Sequence, residues 1–467
     1  MNRQAEMNGA TDQHAIVIGG SIAGLLAARV LSDFFANVTI IERDQLPTGA
    51  EARKGAPQGR HGHGLLAGGY QVIERLLPGI GAEWVAAGAL PCDMIGDFRW
   101  YQMGGYKAKF QSGLRGVLLS RPLLEAVLRR RVLALPNVQL QADNVRELVA
   151  NADRSRITGV RLEGDTVLSA DLVVDAAGRG SRSLAWLEAL GYAKPPEEVV
   201  QINVGYATRM LRRRPTDLNG DLGAAIAPIA PHETRAGFVV PVDSERWLVS
   251  LGGWLGDHPP TDPDGWLEFA RSLGCSDLYE MLKDAEPLGD IVVHKVPSNI
   301  RRRYEQLRQA PVGFLVTGDA MCAFNPVYGQ GMTVAAMEAV ALQECLTTDR
   351  NLQTLHYRFF ARAAKVIDIP WMMTTGEDFR YPAVQGKRPW GTALLHRYMD
   401  RVHRVATYDE VVCRTFFDVA NMLQTPGALF QPRILRRVLL GKGLGERSAA
   451  TQPMPPQPTP SLQGGLS

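Results

Sequence analysis

Two stretches of this chain, far apart in the sequence, share one arrangement: a short apolar run, a glycine turn and a helix of small residues. The first stretch begins at Ala15 and the second at Val312. A strand that turns tightly into a helix leaves unpaired backbone N–H groups and the positive end of the helix dipole beside the turn, where they favour an anion such as a phosphate. Two such turns in one chain predict a single long nucleotide cofactor that is held at both of its ends.

The first stretch has the spacing of a dinucleotide-binding turn. The apolar run Ala15–Ile18 is followed by Gly19, Ser21 and Gly24, which match the pattern G-x-G-x-x-G with a serine at its middle position. Gly19 permits the tight turn, Ser21 is small enough for a pyrophosphate to approach the backbone, and Gly24 lets the helix lie close to the strand. The alternative is an ordinary parallel βαβ unit, and the strand before the glycines together with the helix after them favours the nucleotide site.

The strand that follows this helix ends in an acid. The apolar run Val38–Ile41 leads directly into Glu42. A carboxylate at this position is placed to bind the ribose hydroxyls of an adenosine, and it would repel the 2′-phosphate of NADP. The sequence therefore favours FAD or NAD at this site.

Bulk properties exclude several other classes of protein. A chain of 467 residues with 45% hydrophobic and 21% charged residues has the composition of a globular enzyme with more than one domain. The net charge of +3 and arginine clusters without interleaved aromatic residues argue against a nucleic-acid partner. Five scattered cysteines, and the pair His61 and His63 without a third ligand nearby, predict no disulfide framework and no metal centre. The polar N-terminus and the absence of a long apolar run predict a cytoplasmic protein without stable membrane insertion.

The second stretch carries a more specific pattern. Gly318 and Asp319 end the apolar run, and Pro326 and the pair Gly329-x-Gly331 follow before the helix begins. This order resembles the second FAD fingerprint of the single-component, aromatic-hydroxylase-like flavoprotein monooxygenases. The resemblance implies an α/β fold in which a Rossmann-like FAD-binding domain of the glutathione-reductase type, p-hydroxybenzoate-hydroxylase-like, is interleaved with an antiparallel β substrate domain and followed by a C-terminal helical region.

The resemblance also implies roles for individual residues. The aspartate that matches Asp319 binds the ribityl chain, and the loop through Pro326, Tyr328 and Gly329 lies near the isoalloxazine. The arginine that matches Arg121 contacts the pyrophosphate region. The reaction is centred on the flavin, so no catalytic side chain is predicted. The predicted cofactor-binding residues are Gly19, Ser21, Ile22, Ala23, Gly24, Glu42, Arg43, Arg53, Gln58, His61, Arg121, Asp175, Gly178, Gly318, Asp319, Pro326, Gly329, Gly331 and Met332.

One segment departs from the pattern of the resembled family. The family's middle fingerprint usually ends in Ala-Asp-Gly, whereas here Ala177 stands in place of the aspartate and the acid, Asp175, lies two positions earlier. In the family that aspartate serves both FAD and the pyridine nucleotide. The source of electrons therefore stays open between NADH, NADPH and a separate flavin reductase.

The apolar and polar periodicities predict how the domains interleave. Helices are predicted over Gly69–Ala87 and over Leu352–Ile369, with Pro370 closing the second. A hairpin is predicted at Gly104-Gly105. The predicted segments are 14–90, 113–195 and 291–370 for the FAD-binding domain, 91–112 and 196–290 for the substrate domain, 371–446 for a C-terminal helical cap, and 447–467 for a disordered tail.

The segment Pro370–Pro382 narrows the resemblance. Its order P-W-x₃-T-x₂-D-x₂-Y-P, together with the loop Arg53–His63, is similar to bacterial flavin epoxidases of polyether antibiotic pathways, such as the lasalocid and monensin epoxidases. This implies that one oxygen atom from O₂ is inserted into a hydrophobic alkene of secondary metabolism, through a flavin C4a-hydroperoxide. An alkene needs no general base, and none stands out in the sequence.

Several alternatives stay open at the level of sequence. The same fold hosts phenol hydroxylases, isoprenoid double-bond reductases and flavin halogenases, so the fold alone does not decide the reaction. A halogenase would need a W-x-W-x-I-P segment, which this sequence lacks. A non-catalytic flavoprotein would not need the β-rich region between residues 201 and 300.

Overall fold

The structure is a computed structural model that describes residues 13–53, 55–243 and 245–441. The predicted tail lies outside the described residues. The strands are β1 His14–Ile18, β2 Asn37–Glu42, β3 Leu90–Asp93, β4 Arg99–Gln102, β5 Gly105–Tyr106, β6 Arg115–Leu118, β7 Val138–Ala142, β8 Val145–Ala150, β9 Ile157–Leu162, β10 Val167–Ser169, β11 Leu172–Asp175, β12 Glu197–Arg212, β13 Ala224–Ile226, β14 Arg235–Pro241, β15 Arg246–Gly253, β16 Val292–Arg302, β17 Phe314–Val316 and β18 Cys322–Ala323. The α-helices are α1 Ile22–Leu31, α2 Ala67–Leu76, α3 Ile80–Ala86, α4 Arg121–Leu133, α5 Ser183–Ala189, α6 Pro263–Arg271, α7 Asp277–Leu282, α8 Gly331–Thr348, α9 Leu352–Asp378, α10 Thr392–Val405, α11 Glu410–Ala420 and α12 Pro432–Leu440.

A five-stranded parallel sheet forms the centre of the first domain. Its strand order is β17-β11-β1-β2-β7, so the two predicted nucleotide turns follow strands of the same sheet. Central parallel strands are covered on both faces, and Ile16, Val17, Val173 and Leu315 are accordingly buried without an alternating polar side. The sheet confirms the predicted α/β fold with a Rossmann-like domain.

An eight-stranded sheet forms the second domain, with the order β18-β16-β12-β15-β14-β13-β4-β5. All of its neighbouring pairs are antiparallel except β13 and β4. The predicted hairpin is β4–β5, where Gly104 has a φ of +75°. One predicted boundary is wrong: residues 292–302 were placed in the third FAD-binding segment, but β16 pairs with β12 from Val292 to Arg302 and so belongs to this sheet.

Helix α9 contradicts the prediction that Pro370 ends a helix. The helix runs through Pro370 to Asp378. An internal proline removes one backbone hydrogen bond and costs about 3 kcal/mol. Here Ile367 and Trp371, on either side of the proline, are both buried, so the helix packs against the rest of the protein on both sides of Pro370. The segment after Pro370 is therefore part of one long helix, and only its last residues lead into the cap.

The predicted helix Gly69–Ala87 is divided into α2 and α3. Pro78 cannot donate a backbone hydrogen bond, and Gly79 has a φ of +85°, so the chain turns between the two helices. At the C-terminus, α10, α11 and α12 form the predicted helical cap, and an apolar core joins Phe417 to Leu248 of the large sheet. Among the residues described, no helix has the length and apolar character needed to span a membrane.

Candidate cofactor-binding and active site

One cavity of 430 Å³ lies at the carboxyl ends of β1, β11 and β17 and extends to the large sheet. In open parallel sheets, ligands bind in this position because the turns after the strands leave room and free N–H groups there. The predicted residues that line the cavity are Gly19, Ser21, Ile22, Ala23, Glu42, Arg43, Arg53, Gln58, Arg121, Gly178, Gly318, Asp319, Pro326, Gly329, Gly331 and Met332. Both predicted nucleotide turns therefore open into the same cavity.

Gly24 and Asp175 were predicted to contact the cofactor, but neither lines the cavity. A Cβ atom on Gly24 would lie 1.8 Å from the carbonyl oxygen of Gly19, so this glycine lets α1 approach the turn. Asp175 is fully buried and accepts hydrogen bonds from the backbone N–H of Ala177 at 2.9 Å and from the hydroxyl of Ser181 at 2.6 Å. Since both carboxylate oxygens accept hydrogen bonds inside the turn, Asp175 stabilises the turn and does not face the cavity.

His61 was also predicted to contact the cofactor, and it lies just outside the cavity lining. Its Nδ1 is 2.8 Å from the hydroxyl of Thr208, which holds the ring against the large sheet. His63 lines the cavity instead. The two histidines alternate along an extended loop, so one side chain of the pair faces the sheet and the other faces the cavity.

Both ends of the cavity carry a helix N-terminus without a side-chain cap. Ser21 precedes α1, and its hydroxyl donates to Glu125 at 2.9 Å rather than capping the helix. Gln330 precedes α8 and likewise makes no cap hydrogen bond. The first-turn N–H groups of a helix need partners from outside the helix. These two sets of N–H groups fit the phosphates and the polar ring edge of a dinucleotide such as FAD.

Near the first turn, Arg53 is surrounded by carboxylates that neutralise its charge. Arg53 is buried among three carboxylates, Glu42 at 3.2 Å, Asp44 at 2.9 Å and Glu125 at 3.0 Å. Burial lowers the pKa of Arg53, but Glu125 and Glu42 outweigh that effect, and the pKa is raised. Arg53 is therefore already paired, and it keeps Glu42 in place at the end of β2.

Arg121 carries a buried donor, its Nε, that makes no hydrogen bond, although this Nε lies 3.9 Å from Glu125 Oε2. Its Nη2 donates to the Ser21 hydroxyl at 3.1 Å, but its Nε is buried without a hydrogen-bond partner. Burial lowers the pKa of Arg121, and Glu125 and Asp319 oppose this effect. A buried cationic donor at the edge of the cavity fits an anionic ligand group. The residues present therefore fit FAD, with Arg121 and the α1 N-terminus at the phosphates.

The far end of the cavity is closed by the large sheet. Tyr206 of β12 and His294 of β16 are directly paired across the two strands, and both line the cavity together with Val296. The ring centroids of His61 and Tyr206 are 4.9 Å apart. Sequence reasoning missed Tyr206 and His294, because strand alternation shows which residues share a face but not what that face covers.

The imidazoles at this end are held in the neutral form. Burial lowers the pKa of His61 to about 4 and the pKa of His63 to about 3. Burial, with Arg179 nearby, also lowers the pKa of His294. Each of these rings therefore has one nitrogen that can accept a hydrogen bond at neutral pH.

A buried acid, Glu338, accepts hydrogen bonds from the second nucleotide turn. Glu338 of α8 accepts hydrogen bonds from the Thr317 hydroxyl and the Gly318 N–H, both at 2.6 Å, and its Oε1 is buried without a partner. Burial raises the pKa of Glu338 to about 7, although these two donors favour the charged form. The acid is thus largely protonated in the folded protein below neutral pH.

The raised pKa of Glu338 predicts that the stability of the protein depends on pH. The pKa of Glu338 is higher in the folded protein than its ordinary value of 4.5, so the free energy of unfolding falls as the pH rises from about 4.5 to about 7. We expect wild-type protein to lose about 2.5 kcal/mol more than Glu338→Gln between pH 5 and pH 8, since one pKa unit corresponds to about 1.4 kcal/mol. Urea unfolding at the two pH values measures this loss. Glu344→Gln, an exposed position in the same helix, should behave as the wild type, and equal losses in wild type and Glu338→Gln would contradict the prediction.

Comparison with known proteins agrees with the geometry of this cavity. A family model described as an FAD-binding domain matches residues 12–351. Protein Rv3254 of Mycobacterium tuberculosis is 34% identical over 434 residues, which cover 88% of this chain and 90% of that protein. Kynurenine 3-monooxygenase of Salinispora tropica is 26% identical over 475 residues, 97% of each chain.

A solved structure shows the same fold at low sequence identity. The triple mutant of the flavin-dependent brominase Bmp2 superimposes with a TM-score of 0.62 and 15% identity, over 90% of this chain and 98% of that chain. The chain belongs to the FAD-binding domain family, and its fold is the p-hydroxybenzoate-hydroxylase-like fold of flavoprotein monooxygenases.

Proposed function

We propose that this protein is an FAD-dependent monooxygenase that inserts one oxygen atom from O₂ into an apolar organic substrate, and that the reacting group is an alkene. The carrying observation is that one cavity joins the two uncapped helix N-termini to the wall of the large sheet. FAD, when bound, supplies the redox and oxygen chemistry. The remaining tasks of binding, orienting and excluding water fall to the residues of the chain.

These residues divide the tasks along the cavity. Arg121 and the α1 N-terminus hold the negatively charged phosphates, and Glu42 holds the ribose end. The positive end of α8 favours negative charge at the redox end. Tyr206, His294 and Val296 form the wall against which a substrate is oriented.

Hydroxylation of an aromatic ring is a second candidate, and a specific observation favours it. The sequence argument for an alkene relied on the lack of a general base. The folded chain brings the neutral imidazoles of His63 and His294 to the cavity beside Tyr206. Such a group can accept a hydrogen bond from a phenol hydroxyl and orient the ring. The full-length similarity to a protein named kynurenine 3-monooxygenase points the same way.

Isotope labelling tests the proposal. Purified protein is loaded with FAD, reduced without oxygen by NADH, by NADPH or by a flavin reductase, and then exposed to ¹⁸O₂ with an apolar alkene or a phenol. We expect one ¹⁸O atom in an epoxide, because no proton acceptor is needed for that reaction. Label in the phenol alone would overturn epoxidation and leave the second candidate. Saturated or halogenated products without label would overturn the monooxygenase itself.

A further inference from the structure

The part of α9 beyond Pro370 carries buried polar side chains that do not line the cavity, among them Thr374 and Asp378. Thr374 and Asp378 are one helical turn apart, so both lie on the same side of the helix. Each is 0% exposed to solvent. A buried hydroxyl and a buried carboxylate on one helix face need specific partners, since their desolvation is otherwise unfavourable.

Asp378 accepts hydrogen bonds from four side chains of three other segments. Its Oδ1 accepts from Trp254 Nε1 at 3.1 Å, from Asn325 Nδ2 at 2.9 Å and from the Tyr328 hydroxyl at 3.1 Å. Its Oδ2 accepts from Asn299 Nδ2 at 2.8 Å. The indole and the two amide Nδ2 groups can only donate, and the carboxylate of Asp378 accepts from all three. Burial raises the pKa of Asp378, and these hydrogen bonds oppose that effect by favouring the ionised form.

Two of these donors belong to the loop of residues 325–330, the flavin loop. Asn325 is fully buried, and its Oδ1 accepts from the Val327 N–H at 3.2 Å at the start of the turn Pro326–Tyr328. The other end of the flavin loop is held by Thr374, whose hydroxyl donates to Gln330 Oε1 at 2.5 Å. Helix α9 therefore fixes both ends of a loop that supplies the cavity with Pro326, Gly329 and Gln330.

We propose that Asp378, assisted by Thr374, is a positioning residue for the redox end of the cofactor. Asp378 acts through Asn325 and Tyr328, and it keeps the flavin loop in the conformation that receives the flavin ring. Its negative charge is buried behind that loop. This charge disfavours a second negative charge on the reduced cofactor. The inference rests on the proposed FAD site. It gives the segment after Pro370, which does not itself line the cavity, a role in setting the cofactor's environment.

The test compares full-length wild type with Asp378→Asn. We expect FAD to bind about tenfold more weakly, the visible absorption bands of the bound flavin to shift, and the midpoint potential of the bound flavin to rise. FAD titration by fluorescence, the spectrum at saturating FAD and an anaerobic redox titration measure these quantities. The last two report on the saturated protein, so a change in folding stability alone does not move them.

Glu377→Gln is the matched control, because it removes the neighbouring carboxylate. Glu377 pairs with Arg380, which keeps a second partner in Asp400 at 2.6 Å, so wild-type values are expected. If Asp378→Asn fails to fold, Tyr328→Phe and Thr374→Val each remove one hydrogen bond of the same network and should shift the spectrum in saturated protein. Wild-type spectrum, affinity and potential in the folded variants would overturn this inference. A wild-type protein that takes up no FAD would overturn the proposed function as well.

Discussion

Replacing Gly24 by alanine is expected to weaken FAD binding about 100-fold, a loss of about 2.7 kcal/mol. The added methyl group would lie 1.8 Å from the Gly19 carbonyl oxygen and 3.3 Å from Val17 Cγ1. The nearest atom belongs to the backbone, so the overlap can be relieved only by moving α1 away from β1. That movement displaces the uncapped N–H groups from the cavity, and it should also lower the melting temperature of the apoprotein. Flavin fluorescence titration and thermal unfolding measure the two effects.

Gly164→Ala is the control for this experiment. A Cβ atom there would meet no atom within 4 Å, and the residue lies in the turn between β9 and β10, away from the cavity. FAD affinity and melting temperature should stay at their wild-type values. A Gly24→Ala protein that binds FAD normally would contradict the close approach of α1 to the turn.

Replacing Arg121 by methionine is expected to weaken FAD binding about 30-fold, since a charge-assisted hydrogen bond contributes roughly 2 kcal/mol. Methionine fills a similar volume, so packing changes little, and Glu125 keeps Arg53 as its partner at 3.0 Å. The lost charge should also make FAD affinity less sensitive to salt, because an ion pair is screened by added ions. Fluorescence titrations at several salt concentrations measure both changes.

Arg130→Met serves as the matched control on the same helix. Its side chain is 63% exposed and pairs with Glu83 on the surface, so FAD affinity should not change. Equal affinities of Arg121→Met and wild type would show that the Arg121 guanidinium does not bind the cofactor.

The glycine turns were predictable because their causes are local. Gly19, with a φ of +104°, and Gly318, with a φ of +65°, stand where the chain must turn directly after a strand. Only a few residues are needed for strand, turn and helix, and their spacing is visible in the sequence. The same holds for the apolar runs of β1 and β17, which predicted a strand before each turn. The cofactor class and the fold therefore followed from residues that are neighbours in the chain.

At other positions, the role of a residue depended on long-range contacts or on local donors that the sequence alone does not show. Whether a carboxylate faces a ligand or the protein depends on which donors surround it, and Asp175 meets Ala177 and Ser181 within its own turn. Pro370 was predicted to end a helix, but burial on both sides keeps α9 continuous, and this continuity brings Asp378 to the flavin loop.

The end of the cavity at the large sheet was decided by tertiary structure alone. Tyr206 and His294 are far apart in the sequence and meet only because β12 and β16 pair in one register, and His63 reaches them from a loop of the other domain. The sequence by itself determined the two nucleotide turns and the sheet that carries them, because backbone turns are encoded locally. The partners of each buried polar side chain were determined by long-range strand pairing and helix packing, because burial fixes which distant groups must satisfy one another.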